Sequence, residues 1–134
     1  MLYDYIALER VRCEDRVEIS FETKGNFSDY KIPPLLLMPF IQNAFKHGID
    51  MQMTVSYIKI SICLDINKLQ LQVDNNFTRN EVADPKAGGI GIQNVKRRLH
   101  HYFSDRHTLI IKPDSNNFSV KLFLSLDPNT TNEI

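Results

Sequence analysis

The spacing of hydrophobic positions changes several times along this chain, and each change marks a predicted element. Leu2, Tyr5, Ile6 and Leu8 lie among the charges of Glu9, Arg10 and Arg12, which predicts a leading helix over residues 2–12 within a segment 1–15. From Arg16 to Glu22 the alternation is strict, with Val17, Ile19 and Phe21 on one side and Arg16, Glu18, Ser20 and Glu22 on the other. That is a half-buried strand with one wet face. Lys24-Gly25-Asn26 ends it.

Residues Pro33–Gly48 read P-P-L-L-L-M-P-F-I-Q-N-A-F-K-H-G. Prolines suit a helix's first turn, where their missing N–H would have no intrahelical partner. Leu37, Ile41, Ala44 and Phe45 then recur at helical spacing and predict a core-facing side. Gln42, Asn43, Lys46 and His47 are expected to form a polar arc opposite, because residues three and four apart are helical neighbours. Gly48 supplies a stop. Taken alone, such an arc is an ordinary solvated helix face.

Further on, Ile58, Ile60, Ile62 and Leu64 recur at period two, Asp65-Ile66-Asn67-Lys68 makes a turn, and Leu69, Leu71 and Val73 return as the second strand of a hairpin. The pattern collapses at Asp74-Asn75-Asn76, and a polar stretch without periodicity runs to Lys86. A loop of that length inside a compact domain is usually functional or mobile. Ala87-Gly88-Gly89-Ile90-Gly91 opens another helix, with Ile92, Val95, Leu99 and Tyr102 expected inward. Leu109–Lys112 reads as a strand, Pro113–Asn117 as a turn, and Phe118, Val120, Leu122, Leu124 and Leu126 as the last alternating strand. Residues 127–134 form a polar tail. The fold class that follows is α/β of the α+β kind: a two-layer sandwich with a mixed, mostly antiparallel sheet and helices packed on one face.

Composition adds boundaries. The chain has 134 residues, enough for one domain with a sizeable core, expected over residues 1–126. Sixteen basic and sixteen acidic residues cancel, so no strong field points to nucleic acid or an anionic membrane. The longest apolar run lies within Pro33–Ile41 and is broken by prolines, so no membrane insertion by this segment is expected, and residues 1–4 do not look like the start of a secretory leader. Cys13 and Cys63 lack a C-x-x-C spacing and read as buried thiols in a reducing compartment. His100, His101 and His107 have no carboxylate or thiolate to complete a metal set.

The order of a polar-faced helix with N-A-F-K-H-G, a strand ending in D-N-N, and a glycine-rich loop opening a helix resembles the ATP-binding domain shared by histidine kinases, gyrase-type topoisomerases and mismatch-repair ATPases. More narrowly, I-P-P-L-L-L-M-P-F-I-Q-N-A-F-K-H-G, V-D-N-N and G-G-I-G-I-Q-N-V-K-R-R-L resemble the catalytic domain of LytS-type sensor histidine kinases. Tyr5-Ile6-Ala7-Leu8-Glu9 with Arg12 is similar to the helix preceding that domain, and the resemblance runs to about Leu126.

The resemblance implies a Bergerat-type fold that binds ATP and Mg²⁺. It assigns the metal to Asn43 through its side-chain oxygen, in keeping with the preference of Mg²⁺ for a few hard oxygen ligands. Gln42 stands where the family usually has a glutamate; with Asn43 and Lys46 it makes the expected catalytic set. Lys46 would serve as a point charge at the triphosphate, and His47 as a phosphate donor or as a structural helix end. The adenine contact has two possible registers: Asp74 by matching letters, or Asn75 by strand parity, since Leu71, Val73 and Asn75 point the same way. Read without the rest of the chain, D-N-N is an ordinary turn. Gly89 and Gly91 would bring backbone N–H groups and the helix dipole to the phosphates. Asn94 lies one turn on, and residues 76–88 would be the lid. Arg97 and Arg98 read as a solvated face, from which one side chain could reach the γ-phosphate or a partner domain.

The implied function is transfer of the γ-phosphoryl group of Mg-ATP to a histidine on the dimerisation domain of a parent two-component kinase, with a response regulator downstream and the domain on the cytoplasmic side of an anchored parent. None of the four histidines lies in such an acceptor segment, so the chain reads as a catalytic domain without its acceptor. The alternative is a degenerate module that senses nucleotide or holds a dimer without phosphotransfer, which Gln42 and the altered first glycine box favour. An ATP-driven clamp of the topoisomerase kind is disfavoured by the small size.

Overall fold

The computed structural model describes residues 2–13, 17–25, 34–48, 56–76, 89–113 and 117–126. Eight elements run in the order α1 (Leu2–Cys13), β1 (Val17–Lys24), α2 (Pro34–Gly48), β2 (Ser56–Asp65), β3 (Lys68–Asn76), α3 (Gly89–Tyr102), β4 (His107–Pro113) and β5 (Asn117–Ser125). The strands form one sheet in the order β1-β2-β3-β5-β4, with β1 parallel to β2 and all other pairs antiparallel. The parallel pair is joined through α2, as a parallel connection requires.

Register explains the two layers. Ile58, Ile60, Ile62 and Leu64 of β2 stand opposite Asn75, Val73, Leu71 and Leu69 of β3, which in turn face Phe118, Val120, Leu122 and Leu124 of β5. All but one of these are apolar, all are buried, and α2 packs on them with α3 alongside it. Burying each large aliphatic side chain contributes roughly 1.5–3 kcal/mol, so this lattice dominates the stability of the fold. The opposite face carries Lys59, Ser61, Gln70, Gln72, Asp74 and Lys121 and meets solvent. The expected mixed, mostly antiparallel two-layer sandwich is therefore the observed one.

α1 lies against β1 and α2. The Tyr3 ring meets Phe21 edge-on at 5.0 Å, its hydroxyl is 3.1 Å from Thr23 Oγ1, and Tyr5 meets Phe45 edge-on at 5.8 Å. Glu9 is buried beneath the helix and accepts a hydrogen bond from Arg12 at 3.0 Å.

Several expectations shift. Tyr102 is exposed, and Phe103, one residue on, is buried in its place. The chain continues past α3 with Phe103 N–H donating to Leu99 O, while the Arg106 guanidinium lies 5.1 Å from the Phe103 ring and donates to Tyr102 O. That C-terminal lock selects position 103 as the inward one. Cys63 is half-buried on the polar face rather than buried, and the side chain of Cys13 lies outside the described residues. β4 begins at His107, two residues earlier than expected, with His107 Nδ1 2.7 Å from Phe103 O. Asp74-Asn75-Asn76 is not a turn: it completes β3. The remaining residues of the expected lid, 77–88, and the tail, 127–134, lie outside the described residues.

The β2–β3 connection is a two-residue loop, Ile66-Asn67, between the paired Asp65 and Lys68. Ile66 has φ 57° and Asn67 does not share the positive region. A positive φ at the first central residue only is the pattern of a II′ turn, which prefers glycine there.

Candidate functional site

α2, the end of β3 and the start of α3 carry all the residues singled out for nucleotide chemistry. The first turn of α2 begins at Pro34; Pro39 falls inside the helix and removes one backbone donor. From Phe40 the pattern tightens, with Phe40, Ile41, Ala44 and Phe45 all buried.

The four polar residues of α2 do not form one arc. Gln42 and Lys46, four apart, are exposed on the same face. Asn43 turns inward and is only 8% exposed. The reason is angular: 43 lies beside the buried positions 36 and 40 on the helical wheel, at the edge of the core-facing stripe. His47 belongs to α2, and its side chain lies outside the described residues.

At the end of β3 the two candidate residues separate. Asn75 shares the inner face with Leu71 and Val73, is 1% exposed, and sits between Ile58 of β2 and Phe118 of β5. It is the polar member of an apolar lattice. Its Nδ2 donates one of its two hydrogens to Asn76 O at 3.2 Å, which fixes the turn of the amide; Oδ1, an acceptor only, is the half suited to an incoming donor. Asp74 lies on the opposite, polar face, where it accepts from Gln72 Nε2 at 2.9 Å and stands across from Lys59.

α3 starts at Gly89. Gly91 and Asn94, three apart, are both exposed on it. Gly91 has no positive φ, and a methyl group built on it meets nothing within 4 Å. Neither backbone conformation nor packing among the described residues demands a glycine there, and the space beside it is open. Arg97 is exposed and Arg98 half-buried.

Sequence reasoning missed a second set on the polar face. Tyr57 N–H donates to Asn76 Oδ1 at 2.9 Å, and Tyr57 Oη donates to Asn117 Oδ1 at 2.7 Å. Burial, reinforced by the nearby Asp74 carboxylate, holds the Tyr57 phenol above its ordinary pKa, so it stays a donor. Lys59 Nζ lies 5.8 Å from the centre of its ring. The one available signal was the even-odd alternation, which put Tyr57, Asn76 and Asn117 on the wet side of their strands.

The donor set suits a magnesium nucleotide. Asn43 offers an amide oxygen from a nearly dry position, and an ion arriving on phosphates requires few protein ligands. Among the described residues no three His, Cys, Asp or Glu side chains come together as a metal cage. Nor, among them, is any helix long and apolar enough to cross a membrane.

No protein-family model matches the chain. The sensor histidine kinase BtsS of Escherichia coli K12 is 26% identical over 113 residues, covering 83% of this chain and 20% of BtsS. The sensor protein LytS of Enterococcus faecalis is 19% identical over 119 residues, covering 81% and 20% respectively. This chain thus spans about a fifth of the length of these curated relatives. Among solved structures, the blue-light activated histidine kinase EL346 of Erythrobacter litoralis superposes with a TM-score of 0.67 at 12% identity, over 93% of this chain and 40% of that one. The nucleotide-free catalytic domain of histidine kinase ThkA superposes at 0.57 and 16% identity, over 95% and 93%. At such identities these superpositions establish a shared fold.

Proposed function

We propose, because this chain is homologous to sensor histidine kinases with LytS-type sensors among them, that it binds Mg-ATP and passes the γ-phosphoryl group to a histidine on the dimerisation domain of a parent two-component kinase. The observation that carries the reading is Asn75, a buried amide at the end of an apolar lattice, between Ile58 and Phe118, with the buried amide of Asn43 on the helix above. Burying amides costs free energy unless they are hydrogen-bonded, and neither side chain contributes to the core as a hydrocarbon would.

In this reading Asn75 Oδ1 accepts from the exocyclic amine of adenine, and Asn43 Oδ1 ligates the metal. Mg²⁺, when bound, neutralises phosphate charge and orients the γ-phosphoryl group for in-line attack. Lys46, exposed one turn from Gln42, supplies a point charge at the triphosphate, and His47 closes the same helix. Backbone N–H groups at Gly89 and Gly91 cradle phosphate at the start of α3, with Asn94 one turn further on the same face. Residues 77–88 act as the lid, Asn76 of the expected segment belonging to β3, and residues 1–126 as the folded unit. The acceptor histidine belongs to another segment of the parent, a response regulator takes the phosphoryl group next, and the domain works on the cytoplasmic face.

Calorimetric titration of Mg-ATP into the 134-residue chain and into Asn43→Ala tests the site. The expected result is binding by the first that weakens at least about tenfold in the second. Absence of heat with the unsubstituted chain at millimolar nucleotide sinks the reading.

Gln42 favours a second reading, a module that senses nucleotide without transferring phosphate. A neutral amide on the exposed face of α2 cannot polarise an attacking imidazole as a carboxylate does. Incubation with labelled ATP and a supplied histidine-bearing domain separates the two: binding without transfer supports the second.

A further inference from the structure

The polar face of the sheet carries a device that concerns the inner face. Asn76 is the last residue of β3, so its backbone fixes where Asn75 stands and how its amide is turned. Asn76 is held twice. Its Oδ1 accepts from Tyr57 N–H at 2.9 Å, replacing at the sheet's end the backbone ladder that stops at Ile58 and Asn75. Its backbone pairs with Asn117 at the start of β5. Tyr57 closes the figure, since its hydroxyl crosses β3 from β2 to reach Asn117 Oδ1 at 2.7 Å.

Three strands are thus tied together at one end by two side-chain bonds. Strand ends normally fray, because their last residues lack a full set of ladder partners. This one is stapled one residue beyond the proposed adenine contact. The same residue supplies the carbonyl to which Asn75 Nδ2 donates at 3.2 Å. A rotation of Asn76 would release that bond and free the Asn75 amide to present its nitrogen instead of its oxygen.

The geometry points to Tyr57 and Asn117 as positioning residues for nucleotide-base selection: by pinning Asn76 they hold the Asn75 amide with its oxygen toward a base that carries an exocyclic amine. The inference rests on the proposed nucleotide site, and extends it to two side chains on the opposite face of the sheet. A base with a carbonyl at that position would meet acceptor against acceptor and be rejected.

The test compares ATP with inosine triphosphate, which carries a carbonyl in place of the amine, by calorimetry on the 134-residue chain and its variants. Tyr57→Phe keeps the ring and removes the hydroxyl. It is expected to lower the ATP-to-ITP affinity ratio by about three- to tenfold, mainly by weakening ATP, since one positioning hydrogen bond is lost. Asn117→Ala should do the same, and Asn117→Asp, which keeps an acceptor for the phenol, should restore the preference. Melting temperatures measured alongside give the purely structural contribution. A fall in stability with both nucleotides weakened equally overturns the inference, as does an unchanged ratio in Tyr57→Phe. If the unsubstituted chain takes neither nucleotide, the proposed function itself falls and this inference with it; if it takes ATP and only the ratio fails to move, the nucleotide site stands and the positioning role alone is lost.

Discussion

Asp74 and Asn75 are neighbours in sequence and lie on opposite faces of the sheet, one on the polar face beside Gln72 and the other buried between Ile58 and Phe118. Only the second can meet a ligand held beneath the helices. Asn75→Ala is expected to weaken ATP binding about tenfold or more, and Asp74→Ala to change it less than about threefold. Titration calorimetry with both variants checks this, and equal losses would remove the distinction between the faces.

Gly91 offers two readouts that move in opposite directions. With no positive φ and open space beside it, alanine there should raise helix stability by up to about 1 kcal/mol. The added methyl stands where phosphate is expected, so ATP affinity should fall. A melting temperature that rises while binding weakens identifies a glycine kept for a ligand. A variant that is more stable and binds equally well would show that the space is spare.

Gln42→Glu restores the carboxylate usual in the resembled family, on an exposed position of α2. Phosphoryl transfer to a supplied histidine domain should speed up about a hundredfold, the lower end for a positioned general base. Single-turnover assays with labelled ATP report it directly. No gain, with ATP still bound, would turn attention to the module that senses without transferring.

The Tyr57 phenol is held above its ordinary pKa by burial and then by Asp74. A raised folded-state value means the neutral phenol is the form the fold favours. Its stabilisation is complete below the unfolded value of about 10 and is lost as pH rises through the higher folded value. Denaturant titrations at increasing alkaline pH should therefore show a loss in the native chain that Tyr57→Phe lacks. The difference between their tyrosinate absorbance curves should isolate one late-ionising phenol.

Ile66 is a β-branched residue at φ 57° and is 83% exposed. Left-handed backbone costs a non-glycine residue roughly 1–2 kcal/mol, and the side chain gains little from burial in return. Ile66→Gly should stabilise the chain by about 0.5–1 kcal/mol after allowing for the greater freedom of glycine when unfolded. Thermal unfolding measures it. A loss of stability would mean that the isoleucine makes a contact worth more than the strain.

The sheet was legible because hydrophobic alternation reports burial, and β2, β3 and β5 alternate through their whole cores. Legibility failed where an inward position is polar. Asn75 interrupts the apolar pattern of β3, so the strand looks finished at Val73 although its backbone continues to Asn76. Asn43 failed in the same way, its polarity placing it with Gln42 and Lys46 when its angle places it with the core. Strand parity nevertheless turned Asn75 inward with Leu71 and Val73, as it stands, so the misreading of orientation is that of Asn43; both residues are proposed ligand contacts, where local rules are expected to give way to function. Tyr102 and Phe103 differ for another reason: helical spacing from Leu99 allows either, and Arg106, outside the helix, decides. The Tyr57 clamp left no signature beyond the alternation that turns its members to the wet face, because its partners are separated by 19 and 60 residues.

The parallel pairing of β1 with β2 also bears on how this domain is made. A ribosome delivers α1, β1 and α2 before the strands on which α2 lies, since β2 begins only at Ser56 and β3 only at Lys68. Emerging vectorially, the nascent chain carries the oily Leu36, Leu37, Phe40 and Ile41 uncovered until β2 and β3 have followed. The antiparallel ribbons can zip locally, whereas the crossover has to wait for them. The helix proposed to hold the metal is thus the part most in need of a holdase during translation, and completion of the binding cleft coincides with the closing step of folding.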